Sequence, residues 1–213
     1  MPIHDSKSAA ETHLHLHSHL PSDPALRVKA LESLAIERGI VTTETLDNWV
    51  EAYREHIGPR RGAEVIGKAW ADQDFHARLM ENAAEAIKEL GHEGQATGDL
   101  KAVENTDKVH NLVVCTLCSC YPFGILGISP PWYRSAAYRA RAVREPRAVL
   151  LEFGVNIADD VEVRVWDSTA ELRYLVVPQR PKGTDGFSEE MLSKLVTRNS
   201  MIGTDRDLRA GEV

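Results

Sequence analysis

The stretch Leu112-Val113-Val114-Cys115-Thr116-Leu117-Cys118-Ser119-Cys120-Tyr121-Pro122 fixes the reading of the whole chain. It holds all three cysteines of a 213-residue protein. The apolar run Leu112-Val113-Val114 predicts a buried strand that delivers Cys115 at its end. The prolines and glycines from Pro122 to Pro131 predict a loop beyond it. The spacing C-x-x-C-x-C lets one turn of backbone aim three sulfurs at a single point. Soft thiolates bind transition metals rather than magnesium or calcium. The segment therefore reads as a metal site held by one loop.

Other uses of three thiols remain open at this level. Structural zinc takes four ligands, often as two separated pairs, and here only His110 is near enough to make a Cys3His set. An iron–sulfur cluster asks for a fourth cysteine. A dithiol redox site needs only Cys-x-x-Cys and leaves Cys120 without a task. Three buried thiols with no metal are the bland reading, as a core position is for His110. In a compact claw, Cys118 and Cys120 flank Ser119, so the main-chain nitrogens of Ser119 and Cys120 become candidate ligands. A peptide nitrogen must lose its proton to ligate, which favours a trivalent ion of the iron or cobalt kind.

Working outward, the composition is that of a globular protein, with 43% apolar residues. A net charge of −7 and the lack of a basic stripe argue against nucleic acid as the main partner. No apolar run reaches the roughly 18 residues of a membrane span. The N-terminus lacks the pattern of a secretory signal. Clustered cysteines do not form a disulfide framework. The expected location is cytoplasmic.

The expected class is α+β, with an N-terminal helical arm followed by an α/β sandwich-like domain carrying the cysteine loop. Residues 1–22, with alternating His13, His15, His17 and His19, read as a disordered tail. Residues 23–97 read as the helical arm. Asp23 and Pro24 start its first helix, which Gly39 ends. Thr42 opens a second, with Leu46, Trp49 and Val50 on one face. A third carries Val65, Ile66, Ala69 and Trp70. A fourth spans about Asp74 to Leu90 with Phe75, Leu79, Ala83 and Ile87 inward. Four short helices make a thin core, so their apolar faces are expected to pack partly on another chain. Residues 98–213 read as the α/β metal-binding catalytic domain. Tyr138 to Phe153 predicts a helix bent or split at Pro146. Alternating Val161, Val163, Val165 and Leu172, Tyr174, Val176 predict a hairpin turning at Asp167-Ser168-Thr169. Ser188 caps a last helix. Arg139, Arg141 and Arg147 read as a solvated face or as salt links to a partner.

The cysteine segment resembles the metal-claw motif of nitrile hydratase α subunits. The resemblance runs on through Arg27-Val28-Lys29-Ala30-Leu31-Glu32, Gly67-Lys68-Ala69-Trp70, Val109-His110-Asn111, Trp132-Tyr133, Tyr138-Arg139-Ala140-Arg141, Arg164-Val165-Trp166-Asp167 and Glu171-Leu172-Arg173-Tyr174. It covers about residues 24–204. It implies a hydro-lyase that adds water to a nitrile to give an amide. It implies one low-spin trivalent metal per chain, bound by Cys115, Cys118, Cys120 and the main-chain nitrogens of Ser119 and Cys120. Thr116 matches the cobalt members, so cobalt(III) rather than iron(III) is expected. The resemblance also implies oxidation of Cys118 to sulfinate and of Cys120 to sulfenate. Asp167 and Glu171 match residues of a hydrogen-bond network behind the site. With Cys118 and Cys120 they form the expected catalytic set.

The implied partners are a β subunit supplying two arginines to the oxidised cysteines, in a heterodimer or heterotetramer, a small nitrile, and a cobalt-loading accessory protein. Thr116, Phe123 and Gln95 are the expected pocket residues. Two departures suggest an altered, roomier pocket: Phe123 stands where many members carry tryptophan, and Gln95 adjoins Ala96, which aligns with a family glutamine. Ile125-Leu126-Gly127-Ile128-Ser129-Pro130, Trp132-Tyr133-Arg134-Ser135 and Gly183-Thr184-Asp185-Gly186 are similar to the γ subunit of thiocyanate hydrolase, which gives the alternative substrate. A non-catalytic metal-binding or redox protein is the second alternative.

Overall fold

A computed structural model describes residues 23–55, 58–92, 99–118, 120–206 and 208. The histidine-bearing tail 1–22 and two expected site residues, Gln95 and Ser119, lie outside these. The chain divides into two compact units, Met1–Val50 and Glu51–Val213. In the first, α1 spans Asp23–Glu37 and buries none of its residues. Helix α2, Thr43–Glu55, runs across the division.

The second unit holds the core. Helix α3, Pro59–Ala71, turns Val65, Ile66, Ala69 and Trp70 inward. The single helix expected over 74–90 is two. Helix α4, Gln73–Glu81, is capped by Asp72, and α5, Ala83–Lys88, by Asn82. The Asn82 side chain accepts from the Glu85 amide and offers the backbone an alternative to continuing the helix. Helices α6 (Phe123–Leu126), α7 (Pro131–Arg134), α8 (Ala136–Arg144) and α9 (Pro146–Glu152) follow the cysteine loop. The expected break at Pro146 separates α8 from α9. Helix α10, Glu189–Lys194, is capped by Ser188, whose hydroxyl accepts from the Met191 amide.

Among the described residues, four strands complete an α+β fold: β1 (Asp99–Glu104), β2 (Val109–Val114), β3 (Glu162–Asp167) and β4 (Leu172–Val177). The expected hairpin of β3 with β4 does not form. β4 pairs in parallel with β1, and β3 in parallel with β2. Alternation along a strand fixes which face is buried but not which strand lies beside it. At the corner after Asp167, the Thr169 amide bonds to the Leu172 carbonyl at 2.8 Å, and the chain passes from one sheet to the other. The parallel pairing of β2 with β3 needs a long crossover, and α6 to α9 supply it. Segment 201–202 links the two sheets: the Val113 amide donates to Ile202 and the Val176 amide to Met201. At Gly203, where φ is +95°, a Cβ would lie 2.0 Å from the Asn111 carbonyl oxygen, so only glycine fits.

Strand β2 is buried along nearly its whole length, as its apolar run requires. Its one histidine is a core residue. His110 Nε2 lies 2.8 Å from the Gly203 carbonyl, which can only accept, so Nε2 carries the proton. Around it, Asn111 donates to the Asn105 side chain, and Trp166 Nε1 donates to Asn111 Oδ1 at 2.8 Å. This network ties β2 to β3 and to the 199–204 segment. Burial holds the His110 pKa below the ordinary histidine value, because charging it would strand a cation in the core. The unfolded chain therefore takes up a proton first as pH falls below about 6.5, and stability drops from there until the folded pKa is passed. Denaturant unfolding at pH 7.5 and 5.5 should show the loss, at a slope of up to about 1.4 kcal/mol per pH unit from this residue. In His110→Gln that component should disappear.

Candidate metal centre

Strand β2 ends at Val114 and delivers Cys115 to the rim of the unit. The three sulfurs converge as their spacing predicts. Cys118 Sγ lies 3.6 Å from Cys115 Sγ and 3.2 Å from Cys120 Sγ, and all three lie within 4.8 Å of one another. The Cys118 amide points inward at Cys115 Sγ, 3.3 Å away. Metal–thiolate bonds of about 2.3 Å place two sulfurs about 3.3 Å apart at a right angle and about 3.8 Å apart at the tetrahedral angle. The observed separations thus match ligands on one ion, and soft sulfur suits a transition metal. No other group of three histidine, cysteine or acidic side chains is so placed among the described residues.

The Cys120 thiol resists ionisation. Burial first, and then hydrogen bonds from Cys118 and Cys115, push the Cys120 thiol up to about 12. A cation must therefore displace protons as it enters, and metal uptake strengthens as pH rises. Exposure is graded along the loop: Cys115 is buried, Cys120 half-buried and Cys118 exposed. Between the first two thiols, the Leu117 side chain projects outward, 88% exposed.

Among the described residues, four from elsewhere in the chain hold this loop and the end of β2. Asp167, at the end of β3, stands beside Val114 in the ladder. Its carboxylate accepts from the Thr116 amide at 2.9 Å and from the Thr116 hydroxyl at 2.6 Å. The Ser168 amide donates to the Val114 carbonyl at 2.7 Å. Arg139 Nη1 donates to the Leu117 carbonyl at 3.2 Å. The Tyr133 hydroxyl donates to the Cys120 carbonyl at 2.9 Å. Behind the loop, Tyr138 donates to the Val113 carbonyl at 2.7 Å. Trp132, Tyr133, Tyr138, Tyr121 and Phe153 pack edge to face there, with centroid spacings from 4.7 Å.

The expected site residues thus fall into groups. Cys115, Cys118, Cys120, Thr116 and Asp167 come together. The Thr116 hydroxyl is committed to Asp167. Phe123 opens α6, partly buried against the core. Glu171 is exposed at the β3–β4 corner, where its carbonyl accepts from Asp99; its carboxylate makes no hydrogen bond to a described residue. The arginines expected on a solvated face are not a single set. Arg141 pairs with Glu145 and Glu152, Arg147 holds the carbonyls of Ile157, Ala158 and Val161, and Arg139 holds the loop. Tyr133 and Ser168 hold the loop and its start, and Tyr138 holds strand β2 behind it; sequence reading assigned none of these contacts. They sit 18 to 53 residues beyond Cys115, and nothing local in the sequence aims a side chain from there back to the loop.

Comparison with known proteins agrees with this geometry. The family model described as "Nitrile hydratase, alpha chain" matches residues 22–205. The cobalt-containing nitrile hydratase subunit alpha of Pseudonocardia thermophila is 54% identical over 180 residues, covering 84% of this chain and 88% of the relative. Thiocyanate hydrolase subunit gamma of Thiobacillus thioparus is 40% identical over 193 residues, covering 85% and 79%. Among solved structures, a double mutant of the Fe-type nitrile hydratase from Comamonas testosteroni Ni1 superposes with a TM-score of 0.78 at 39% identity, covering 90% of this chain and 94% of that one. With a family model spanning all but the ends and relatives above half identity over most of their length, this chain belongs to the nitrile hydratase α-chain family.

Proposed function

We propose that this chain is the α subunit of a cobalt nitrile hydratase, converting a nitrile and one water into the amide. The observation that carries the reading is the convergence of Cys115, Cys118 and Cys120 at the mouth of β2. The relative at 54% identity is a cobalt enzyme, and Thr116 is the residue that goes with cobalt in the resemblance. Cys115, Cys118 and Cys120 would hold one cobalt(III), and the resemblance adds the main-chain nitrogens of Ser119 and Cys120 as further ligands. Bound there, the ion supplies Lewis-acid chemistry for activating a nitrile or a water.

The chain's own residues set up that chemistry. Asp167 pins the first half of the loop through both donors of Thr116. Cys118 and Cys120 would be oxidised to sulfinate and sulfenate by an external oxidant such as dioxygen, which adds two oxygens to the first sulfur and one to the second. Their exposure supports this, as accessible thiolates oxidise first while buried Cys115 stays a thiolate. The Cys120 sulfenate oxygen would then be available as a nucleophile. Asp167 supplies the carboxylate that reaches the loop; a network role for Glu171 rests on the family resemblance alone. Phe123, Thr116 and Gln95 are the proposed substrate-pocket residues.

One face of the loop is open, with Leu117 and Cys118 exposed. Excluding water from it takes another chain. That chain is a β subunit, whose arginines pair with the cysteine oxygens in a heterodimer or heterotetramer, and an accessory protein loads the cobalt. No helix among the described residues is long and apolar enough to cross a membrane, and a cytoplasmic site of action is part of the proposal.

Co-expression with the β subunit in cobalt medium tests the reading. The complex should hold about one cobalt per chain, carry added oxygens on the peptide containing Cys118 and Cys120 by mass spectrometry, and hydrate acrylonitrile. Zinc with three reduced thiols would overturn it. Turnover of thiocyanate but not of nitriles would move the chain to the thiocyanate branch that the 40% relative represents.

A further inference from the structure

We propose that Tyr133 is a positioning residue for the metal loop, fixing Cys120 through its carbonyl with Ser168 behind it. The inference rests on the reading of the loop as a metal site and names which remote group sets its geometry.

Cys120 is where the loop passes into the proline-rich segment, and its main chain has no strand or helix to define it. The Tyr133 hydroxyl supplies that definition, at 2.9 Å from the Cys120 carbonyl oxygen. The ring is wholly buried. It stands edge-on to Tyr121 at 5.2 Å and to Trp132 at 6.0 Å, and tilted against Tyr138 at 5.7 Å. Such packing leaves it little room to swing. The phenol has one proton, spent on Cys120, and oxygen lone pairs to spare. The Ser168 hydroxyl is buried near Tyr133 and makes no hydrogen bond among the described residues. A small rotation would let it donate to the phenol oxygen. Burial also raises the tyrosine's pKa well above its ordinary value, so the hydroxyl remains a donor at every working pH.

Holding the Cys120 carbonyl fixes one torsion of that residue. The Cys120 nitrogen and sulfur spring from the same Cα, so pinning the carbonyl limits the directions both can take. Tyr133 thereby completes at the end of the loop what Asp167 does at its start. Tyr138 provides a comparison: it too is buried, but its hydroxyl bonds to the Val113 carbonyl within β2, where the ladder already fixes the backbone.

The full-length apo chain is titrated anaerobically with cobalt(II), following thiolate-to-cobalt absorption. Unfolding is measured in parallel. Wild-type chain should bind one ion. Tyr133→Phe, which removes only the hydroxyl, should bind about tenfold more weakly and show a shifted absorption band. Tyr138→Phe should match wild type in affinity and band, whatever its effect on unfolding. Ser168→Ala should weaken binding in the same direction as Tyr133→Phe, by less, and stands in for it if that variant fails to fold. The inference is overturned if Tyr133→Phe, or Ser168→Ala in its place, binds like wild type, or if Tyr138→Phe shows the same loss. Failure of the wild-type chain to bind cobalt would instead remove the metal reading itself.

Discussion

Replacing Cys118 with alanine is expected to abolish cobalt retention while leaving the fold intact. Both short sulfur contacts of the loop, 3.6 Å to Cys115 and 3.2 Å to Cys120, run through this residue. Without it, two thiols remain at opposite ends of the loop, and the cation loses the ligand that joins them. Cys118 is also the exposed member of the three. Its truncation opens no cavity, so unfolding of the apo chain should change by less than about 0.5 kcal/mol. Cys115→Ala is the useful contrast. Its side chain is fully buried at the end of β2. There the metal would be lost together with about 1–2 kcal/mol of stability, the cost of a small core truncation. Elemental analysis after gel filtration and denaturant unfolding separate the two effects. A Cys118→Ala chain that still carried near-stoichiometric cobalt would show that the sulfurs do not share an ion.

The cysteine loop was legible because its information is chemical and local. Residue type names the ligand and spacing names the geometry, and both survive without knowledge of the fold. Helix faces such as Val65, Ile66, Ala69 and Trp70 were legible for a related reason: burial on one side writes a 3.6-residue period into the sequence. The break at Pro146 needed only the missing amide of one residue. What escaped reading was relational. Asn82 splits a helix that apolar periodicity carries straight through, because its side chain bonds to an amide three residues on. β3 and β4 alternate as a hairpin would, yet each finds its partner about 50 residues or more upstream, and no pattern within a strand encodes that choice. The supports of the loop belong to the same class. Tyr133, Arg139 and Ser168 act through main-chain carbonyls of the loop, and a carbonyl carries no sequence identity to which a partner could be matched. Asp167 was reached only through the resemblance; from residues alone it reads equally well as a turn cap.

Asp167→Ala should weaken metal binding more than any substitution outside the cysteines, by about 10–100-fold. The β2–β3 register places Asp167 opposite Val114, so its carboxylate faces the first residues past the end of β2. There it takes both donors of Thr116, amide and hydroxyl, one on each oxygen. The loop's departure from the strand is thus set by a two-point contact, and Thr116 directly follows the buried thiol of Cys115. Alanine removes both points and frees the torsions between Cys115 and Cys118. Asparagine keeps an acceptor for the amide and puts a donor opposite the hydroxyl, which can turn to accept. Asp167→Asn should therefore fall between alanine and wild type. The contact lies at the surface, so apo stability should drop by only about 1–2 kcal/mol in Asp167→Ala. Cobalt(II) titration of the three full-length chains gives the order, and unfolding gives the stability difference. Equal cobalt affinity in wild type and Asp167→Ala would mean that the loop keeps its shape without β3, and that the carboxylate acts, if at all, on substrate rather than on the claw.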